Sequence, residues 1–550
     1  MRQDIRRAMK EILADEINLS SIKTYGSTPM NICLAYPNSY KIGMSNLGFH
    51  SVYYYVNNRE DALCHRLFFR VKDEEFTDAV ALESGKPAYL YDIVGFSVSF
   101  EMDYVKVLQL MKRSQIPLLS KNRDKPLVMA GGPAVTFNPE PLSPFIDFFV
   151  IGEGEEVIDE LLDKYIEIQA KPKNIILENF AQIPGIYVPS LYEMTYDDKG
   201  RVSNRKIRNS APPIIKKRWI KNLNDVKTES VILTPNTEFK DMFLLEISRG
   251  CGRNCRFCMA GYCYRAPRTR ALESVLKRAE FGSRYKQKIG LVGAAISDYP
   301  RIGELAEHLI KMNIKFSVSS LRADTLNEPL AKGLAFSNHK TLTIAPDAGS
   351  QRLRNVINKG ITEQHVFDSI KLAHEYGIEN LKLYYIIGLP TETVEDIYEM
   401  TDFLLRMKSC ITDKSYKIGN ITVSVNPFIP KPFTPFQWYG MEEVSLLSKK
   451  IKYLQASLKP KGIRVLYESP RVSEIQAALS RGDRNTGMLL YKAYKLGGRV
   501  SDFKKVLVDN KGIAFHAHKK FGLKDSLPWD HIDIGLKKDF FAEEYTKARQ

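Results

Sequence analysis

The sequence predicts an α/β protein with an N-terminal doubly wound domain, a partial parallel barrel of six strand–helix units, and a small, mostly helical C-terminal domain. Two observations predict this fold class. Strand patterns alternate with helical patterns up to about residue 170 and again from 241 to 465. Prolines punctuate the stretch between them, which predicts a linker with a hairpin. The predicted division is 1–25 for an N-terminal helix or arm, 26–170 for the first domain, 171–240 for the linker, 241–465 for the barrel and 466–550 for a helical cap.

In the first domain, apolar runs predict buried strands and amphipathic stretches predict the helices between them. The predicted strands are Met30–Tyr36, 92–100, 126–133 and 145–155, and the predicted helices are 49–57, 104–113 and 156–165.

The barrel region repeats a strand, a loop and a helix. Thr362 precedes one of the predicted helices and is the predicted N-cap of that helix. The predicted strands are 243–247, 288–293, 314–320, 340–345, 380–387 and 420–425, and the helices include 271–284, 301–311, 362–376 and 393–407. In such a fold the site should lie at the carboxyl ends of the strands.

Composition narrows the class of protein. A chain of 550 residues is too long for one core. Seven cysteines, three of them clustered, favour a reducing compartment over a disulfide scaffold. We see no secretory signal and no run of about 20 apolar residues that could span a bilayer, so we expect a cytoplasmic protein without a membrane span. The net charge of +16 leaves two explanations open: a polyanionic partner such as RNA or anionic lipid, or a solvated lysine-rich surface.

Three cysteines follow the first barrel strand at the spacing C-x3-C-x2-C. They are Cys251, Cys255 and Cys258. Thiolates this close in sequence can converge on one soft metal centre. Three ligands leave the fourth iron of a cubane cluster without a protein ligand, so that iron can bind a cofactor or substrate. A structural zinc ion would need a fourth ligand.

This spacing, with Phe257 before the last cysteine, resembles the signature of the radical S-adenosylmethionine (radical SAM) enzymes. Further matches are Ala-Pro-Asp-Ala-Gly-Ser at 345–350 and Ile-Gly-Leu-Pro-Thr-Glu-Thr at 387–393. The resemblance implies that the three cysteines hold a 4Fe–4S cluster whose open iron binds S-adenosylmethionine. It also implies reductive cleavage to a 5′-deoxyadenosyl radical and an external electron donor of the ferredoxin or flavodoxin type.

The resemblance further implies S-adenosylmethionine contacts at the ends of the barrel strands. Arg322 can pair with a carboxylate, although a structural ion pair explains it as well. Glu392 can alternatively serve the start of a helix. The predicted S-adenosylmethionine residues are Phe257, Gly293, Ser320, Arg322, Asp347, Gly388 and Glu392.

The N-terminal half resembles the cobalamin-binding type of Rossmann domain that precedes many radical SAM domains. The matches are Gly-Phe-Ser-x-Ser at 95–99, Gly-Gly-Pro at 131–133 and Asp-x-x-x-Ile-Gly-Glu-Gly-Glu at 147–155. The histidine that would ligate cobalt is missing from the loop at 43–49. Cobalamin binding and a fold that has kept its turns without the ligand therefore both stay open. The residues implied for cobalamin are Asn46, Gly48, Ser97, Gly131 and Gly132.

Three functions follow from these features. The first is a radical SAM enzyme on an unidentified substrate, with methyl transfer if cobalamin binds. The second is an RNA- or protein-modifying enzyme of the methylthiotransferase kind, although the N-terminal half lacks the extra cysteine cluster of those enzymes. The third is an iron–sulfur redox or sensor protein without enzymatic activity. In the tail, Arg481, Asp483 and Arg484 either bind an anionic substrate or form a buried polar network.

Overall fold

A computed structural model describes residues 3–69, 79–197, 201–416, 418–509 and 516–550. The first two residues of the predicted N-terminal arm lie outside this part of the chain. The predicted fold class is confirmed: a doubly wound α/β domain, a parallel α/β barrel and a helical C-terminal part follow one another.

The N-terminal domain is built on a twisted sheet that the described residues show with six strands. The first five in chain order are parallel, and the last is antiparallel to its neighbour. Across the sheet the strands are Ala62–Phe68, Met30–Tyr36, Ile93–Ser97, Leu127–Gly131, Phe148–Val150 and Ile186–Tyr187. The parallel strands therefore have the order 2-1-3-4-5. The direction of winding reverses between the first and third of them, and ligands bind at such a switch point in doubly wound folds.

Helices cover this sheet at or near the predicted positions. The helix predicted at 104–113 has those bounds, and the others differ by one to three residues. The helices of this part are Gln3–Ala14, Tyr40–Gly43, Leu47–Asn58, Tyr104–Arg113, Pro133–Phe137, Val157–Ile168 and Lys173–Phe180.

The edge strand Ala62–Phe68 was not predicted. Its centre contains His65 and Arg66, which interrupt an apolar pattern although both are buried. Arg66 is tolerated there because Glu16 and Glu83 accept hydrogen bonds from its guanidinium at 2.7 and 2.6 Å. Glu16 and Glu83 lie outside this strand, so the partners that stabilise the buried Arg66 cannot be read from the sequence of the strand itself.

The barrel contains seven parallel strands in the described residues. They form a three-stranded and a four-stranded sheet, linked by a single bridge between Leu321 and Ile344. The strands are Met242–Glu246, Lys288–Val292, Lys315–Ser317, Thr341–Asp347, Asn380–Ile387, Asn420–Pro427 and Ile463–Tyr467. The seventh follows the six that were predicted and pairs with the sixth.

Helices pack around the barrel, and Thr362 caps one of them as predicted, because its side chain accepts from the backbone of His365. The helices of this region are Leu272–Ser283, Ile302–Lys311, Glu328–Phe336, Gln351–Val356, Glu363–Glu375, Val394–Asp413 and Val444–Leu458.

The linker connects distant parts of the chain. It contains the predicted hairpin, formed by Tyr192–Tyr196 and Val202–Ile207. Further along, Ile215–Lys216 pairs with Ile532–Asp533, and Ile232–Leu233 pairs with Ile17–Asn18. The linker therefore holds both ends of the chain against the domains.

The C-terminal part consists of Pro470–Arg481, Arg484–Lys495, Val500–Asp509 and Lys538–Lys547. Its polar cluster is a buried network. Arg481 donates to the carbonyls of His516 and Lys519, each at 2.9 Å. Asp483 caps the helix that starts at Arg484. In the described residues no helix is long and apolar enough to cross a membrane.

Candidate functional site

The cysteine loop leaves the carboxyl end of the first barrel strand, as expected. After Met242–Glu246, Ser248–Arg249 pairs with Arg268–Thr269, so that a two-residue ladder closes the base of the loop. Gly250 has φ +83°, and a Cβ there would lie 2.2 Å from the Tyr264 carbonyl oxygen. Glycine at this position therefore permits the tight entry into the loop.

The three cysteine side chains form no disulfide and influence one another electrostatically. Burial, with a smaller contribution from the neighbouring Cys258 thiol, raises the pKa of Cys255 to about 11, although the Lys359 ammonium opposes the shift. Burial also raises the pKa of Cys258, with a smaller contribution from Cys251. If a metal replaced the protons of these thiols, its positive charge would compensate the negative charge of the buried thiolates.

A fourth cysteine, Cys263, is buried at the end of the same loop but belongs to a different environment. Burial raises its pKa to about 12, and the charged groups that act on it are Lys217 and Glu153. Three thiols are a chemically suitable donor set for an iron–sulfur cluster, and the assignment of Cys251, Cys255 and Cys258 as its ligands stays a prediction. In the described part of the chain, no group of three His, Cys, Asp or Glu side chains could hold a single metal ion.

Two predicted residues, Arg322 and Asp347, lie near the thiols. Arg322 donates to the Asp324 carboxylate at 2.9 Å and to the Lys359 carbonyl at 2.7 Å, so it forms the structural ion pair that was the alternative explanation. Asp347 is buried, has φ +65° and forms an ion pair with the Lys359 ammonium. Both residues affect the pKa of Cys255, so they belong to the surroundings of the loop.

The other predicted S-adenosylmethionine residues are spread over the strand ends. Phe257 packs against the apolar cluster that contains Leu389 and Phe428. Ser320 is exposed after the third strand. The Gly388 amide donates to Glu392 at 2.8 Å. The assignment of these residues to S-adenosylmethionine stays a prediction.

Glu392 does not cap the next helix. Its buried carboxylate accepts from the Lys450 ammonium at 2.6 Å, and burial raises its pKa above the ordinary value, although Lys450 opposes the shift. Thr393 is the N-cap of the helix Val394–Asp413, with Asp396 completing a capping box. The sequence could not reveal Lys450 as the partner, because 58 residues separate the two.

A cavity of about 410 Å³ lies between the N-terminal domain and the barrel and opens to solvent. Its walls are largely apolar, with side chains such as Phe96, Met129 and Val292. All five residues implied for cobalamin line it: Asn46, Gly48, Ser97, Gly131 and Gly132. Gly293 lines the opposite wall, so this predicted S-adenosylmethionine residue lies at the same cavity.

The N-terminal wall of the cavity is formed by the carboxyl ends of the first, third and fourth strands of the sheet. Asn46 caps the helix Leu47–Asn58 and donates to Ser99 at 3.1 Å, so its side-chain amide is already engaged. Gly132 has φ +105°, and a Cβ there would lie 2.7 Å from the Val98 carbonyl oxygen. The double glycine therefore keeps this wall flat and close to the neighbouring backbone.

An ion-pair network that the sequence did not predict connects the two domains beside the cavity. Arg249 contacts the carboxylates of Glu153, Glu155 and Glu246 at 2.8 to 2.9 Å. Arg268 donates to both oxygens of Glu153, at 2.7 and 2.9 Å. The two arginines are the residues that close the base of the cysteine loop, so the network attaches this loop to the Gly-Glu-Gly-Glu turn at 152–155.

The sequence carried a signal for this network: Glu153 and Glu155 lie within the motif at 147–155, and three further charged residues flank the cysteine loop, namely Glu246, Arg249 and Arg268. Pairing them required knowledge of which surfaces of the two domains meet.

The fold and the site together define a class: an α/β protein with a loop of three cysteines on a parallel barrel, facing a second, doubly wound domain. Residues 48–189 match the family model "Radical SAM proteins, N-terminal", and residues 245–404 match that of the radical SAM superfamily.

Known proteins resemble the chain over much of its length. MJ0966 of Methanocaldococcus jannaschii, described as uncharacterized, is 34% identical over 483 residues, 86% of this chain and 94% of that protein. PH0819 of Pyrococcus horikoshii, described as an uncharacterized methyltransferase, is 27% identical over 304 residues, 52% of this chain and 60% of that protein. The structure of the radical S-adenosylmethionine methyltransferase TsrM from Kitasatospora setae, with tryptophan and a SAM analogue, is 14% identical, with a TM-score of 0.48, and covers 74% of this chain and 75% of TsrM.

This protein belongs to the radical SAM superfamily. Membership implies a 4Fe–4S cluster and S-adenosylmethionine as cofactors, and such enzymes generally need an electron donor.

Proposed function

We propose that this protein is a radical SAM enzyme that cleaves S-adenosylmethionine reductively, and that the cavity between its two α/β domains binds cobalamin for transfer of a methyl group. Cys251, Cys255 and Cys258 would hold the 4Fe–4S cluster. When bound, the cluster supplies one electron to the sulfonium of S-adenosylmethionine, and cobalamin supplies a cobalt that can carry a methyl group.

The position of the cavity carries the cobalamin proposal. It lies outside the carboxyl ends of the strands, where the order 2-1-3-4-5 places the switch point of the sheet. Its volume falls within the range of cofactor pockets, and its open side lets a larger ligand extend beyond it. Glycines at 48, 131, 132, 152 and 154 leave room along the N-terminal wall for a flat ring.

The residues present fit a corrinoid without a protein ligand to cobalt. The described residues that line the cavity include no histidine, and the Asn46 amide is used within the protein. The protein would therefore hold the ring through apolar contacts and backbone groups. The barrel residues on the opposite wall of the cavity, such as Val292, would limit the access of water to the bound ring.

The methylthiotransferase alternative has less support. Cys33 and Cys64, which lie on neighbouring strands of the N-terminal sheet, are fully buried, and burial raises their pKa well above the ordinary value. They are core thiols, and in the part of the chain that the structure describes no group of three His, Cys, Asp or Glu side chains around them could hold a metal ion.

Anaerobic reconstitution with iron and sulfide tests the cleavage reaction. With dithionite and S-adenosylmethionine, the wild-type protein should form 5′-deoxyadenosine, and Cys255→Ala should form none. Cys410→Ala is the matched control, because Cys410 lies on the helix Val394–Asp413 and should leave product formation unchanged. Product from Cys255→Ala at the wild-type rate would contradict the proposal.

Anaerobic titration with hydroxocobalamin tests the cavity separately. We expect binding of one equivalent, followed by the visible absorbance of the corrin ring after removal of free ligand. Formation of 5′-deoxyadenosine without cobalamin binding would keep the radical chemistry and remove the methyl-transfer proposal.

A further inference from the structure

Three short loops at one end of the barrel are rich in cations and contain no acidic residue. They are the segments 284–288, 311–315 and 459–464, and each connects the end of a helix to the next barrel strand. Because the barrel strands are parallel, all loops that precede a strand lie at the same end. The fold therefore collects cations that are dispersed along the sequence. The cations that define this basic end of the barrel include Lys286, Lys288, Lys311, Lys315, Lys461 and Arg464.

The charge of the basic end is not neutralised by neighbouring carboxylates. In the part of the chain that the structure describes, none of these six cations forms an ion pair. Arginines at the opposite end of the barrel are paired: Arg249 contacts three carboxylates, and Arg253 lies 2.8 Å from Asp298. The two ends of the barrel therefore differ in electrostatic character, and the basic end attracts anions.

Two lysines of the basic end lie side by side on the inner face of the barrel. Phe316 faces the helix Glu328–Phe336, because a Cβ added at Gly333 would lie 2.6 Å from its ring. Side chains alternate along a strand, so Lys315 points to the opposite side, into the barrel. Lys288 pairs with Lys315 in the parallel register and lies on the same face. Both are partly buried, and like charges on adjacent strands repel each other.

His339 lies close to this lysine pair, just before the next barrel strand. Burial lowers its pKa and Lys288 lowers it further, although a hydrogen bond with the Phe316 carbonyl opposes the shift. The positive charge of Lys288 therefore acts across the opening of the barrel at this end. An anion bound there would relieve its repulsion with Lys315.

Aromatic rings lie among the cations. Tyr285 is 39% exposed, and Tyr416, which precedes a later barrel strand, stacks on His374 with ring centroids 4.4 Å apart. Single-stranded nucleic acids bind to surfaces of this kind, because lysines contact their phosphates and aromatic rings stack on their bases. A flat lipid surface would reach the rim of the opening. A flexible single strand can also reach Lys288 and Lys315 inside it.

We propose that the basic end of the barrel binds a single-stranded nucleic acid through its phosphates. The site is separate from the cavity between the domains and from the cysteine loop, which lies at the carboxyl ends of the strands. The strand Asn420–Pro427 has eight residues and is about 25 Å long. The inference goes beyond the proposed function and does not depend on either cofactor.

The test is fluorescence anisotropy of the full chain with a labelled single-stranded RNA of mixed sequence, and with DNA of the same sequence, over a range of salt concentrations. The triple variant Lys288→Gln/Lys315→Gln/Lys461→Gln removes three cations of the basic end. It should bind more weakly than wild type, and the slope of log affinity against log salt should be smaller by about two, since each phosphate contact on a single strand contributes about 0.7.

The matched control is Lys10→Gln/Lys221→Gln/Lys504→Gln, which loses the same charge at exposed positions outside the barrel. Its affinity and slope should stay close to those of wild type. Lys461→Gln alone is a second variant, because its exposed loop position leaves the fold intact. It should lower the slope by about 0.7.

Equal loss of affinity in the two triple variants would overturn the inference, because the total charge would then drive binding. Absence of salt-dependent binding of wild type to both oligonucleotides would overturn it as well. Vesicles of phosphatidylserine and phosphatidylcholine complete the test. Binding to these vesicles but to neither oligonucleotide would refute the nucleic-acid site and assign the basic end to a lipid surface.

Discussion

Replacement of Glu153 by glutamine should weaken the attachment between the two α/β domains. The loss of stability should exceed that of a substitution at an exposed residue nearby. The Glu153 carboxylate is buried and receives two hydrogen bonds from Arg268 and one from the Ile220 amide at 2.8 Å. It also forms an ion pair with Arg249 at 2.9 Å. A glutamine amide has one acceptor oxygen, so its NH₂ group would face a guanidinium donor.

The expected loss of stability follows from the arginines that lose a carboxylate partner. Arg249 keeps Glu155 and Glu246, whereas Arg268 loses both of its contacts to a carboxylate. Removing one member of a buried ion pair costs about 3–5 kcal/mol. We expect a loss near the lower end, about 3 kcal/mol, because Arg268 keeps carbonyl contacts to Ala266 and Ile220.

The assay is urea unfolding followed by circular dichroism and by tryptophan fluorescence. A chain with several domains unfolds in more than one step, so the midpoint of the first transition is the quantity to compare. Glu156→Gln is the matched control, because the Glu156 side chain is 57% exposed and contacts Arg218 at 3.4 Å. It should lose less than about 1 kcal/mol. If the two variants unfold at the same urea concentration, the network does not hold the domains together.

The same residue predicts a dependence on pH. Burial raises the pKa of Glu153, but Arg268 and Arg249 lower it more, so its folded pKa lies below the ordinary value of 4.5. Its stabilising contribution is therefore present above about pH 4.5 and is lost as the pH falls below this value. Wild type should lose stability between pH 4.5 and its folded pKa, and Glu153→Gln should lose less over the same interval.

Two other substitutions test the cavity and the cover of the cysteine loop. Gly132→Ala should lower stability by about 1–3 kcal/mol, measured by thermal unfolding, and should weaken hydroxocobalamin binding. The reason is that φ is +105° and the added Cβ would clash with a backbone oxygen. Unchanged binding would exclude this wall from the site. Glu544→Gln should weaken the 3.0 Å contact that holds the C-terminal helix to Arg256, which is next to Cys255. The variant should therefore lose its cluster absorbance faster in air. A rate equal to that of wild type would show that this helix does not protect the loop.

The sequence could predict the features that depend on neighbouring residues. Apolar runs located Met30–Tyr36 and Asn380–Ile387 with the bounds that the structure has, because a buried strand is encoded by its own side chains. The cysteine triad was recognisable because its three donors lie within eight residues. The five residues implied for cobalamin share one cavity wall because parallel strands place their carboxyl ends at one edge of a sheet.

Only the tertiary structure decided which polar groups find partners. Arg322 pairs with Asp324, and Glu392 pairs with Lys450 instead of capping a helix. Local periodicity reports how a segment folds, whereas ion pairs and cavities depend on distant segments that meet only in the folded chain.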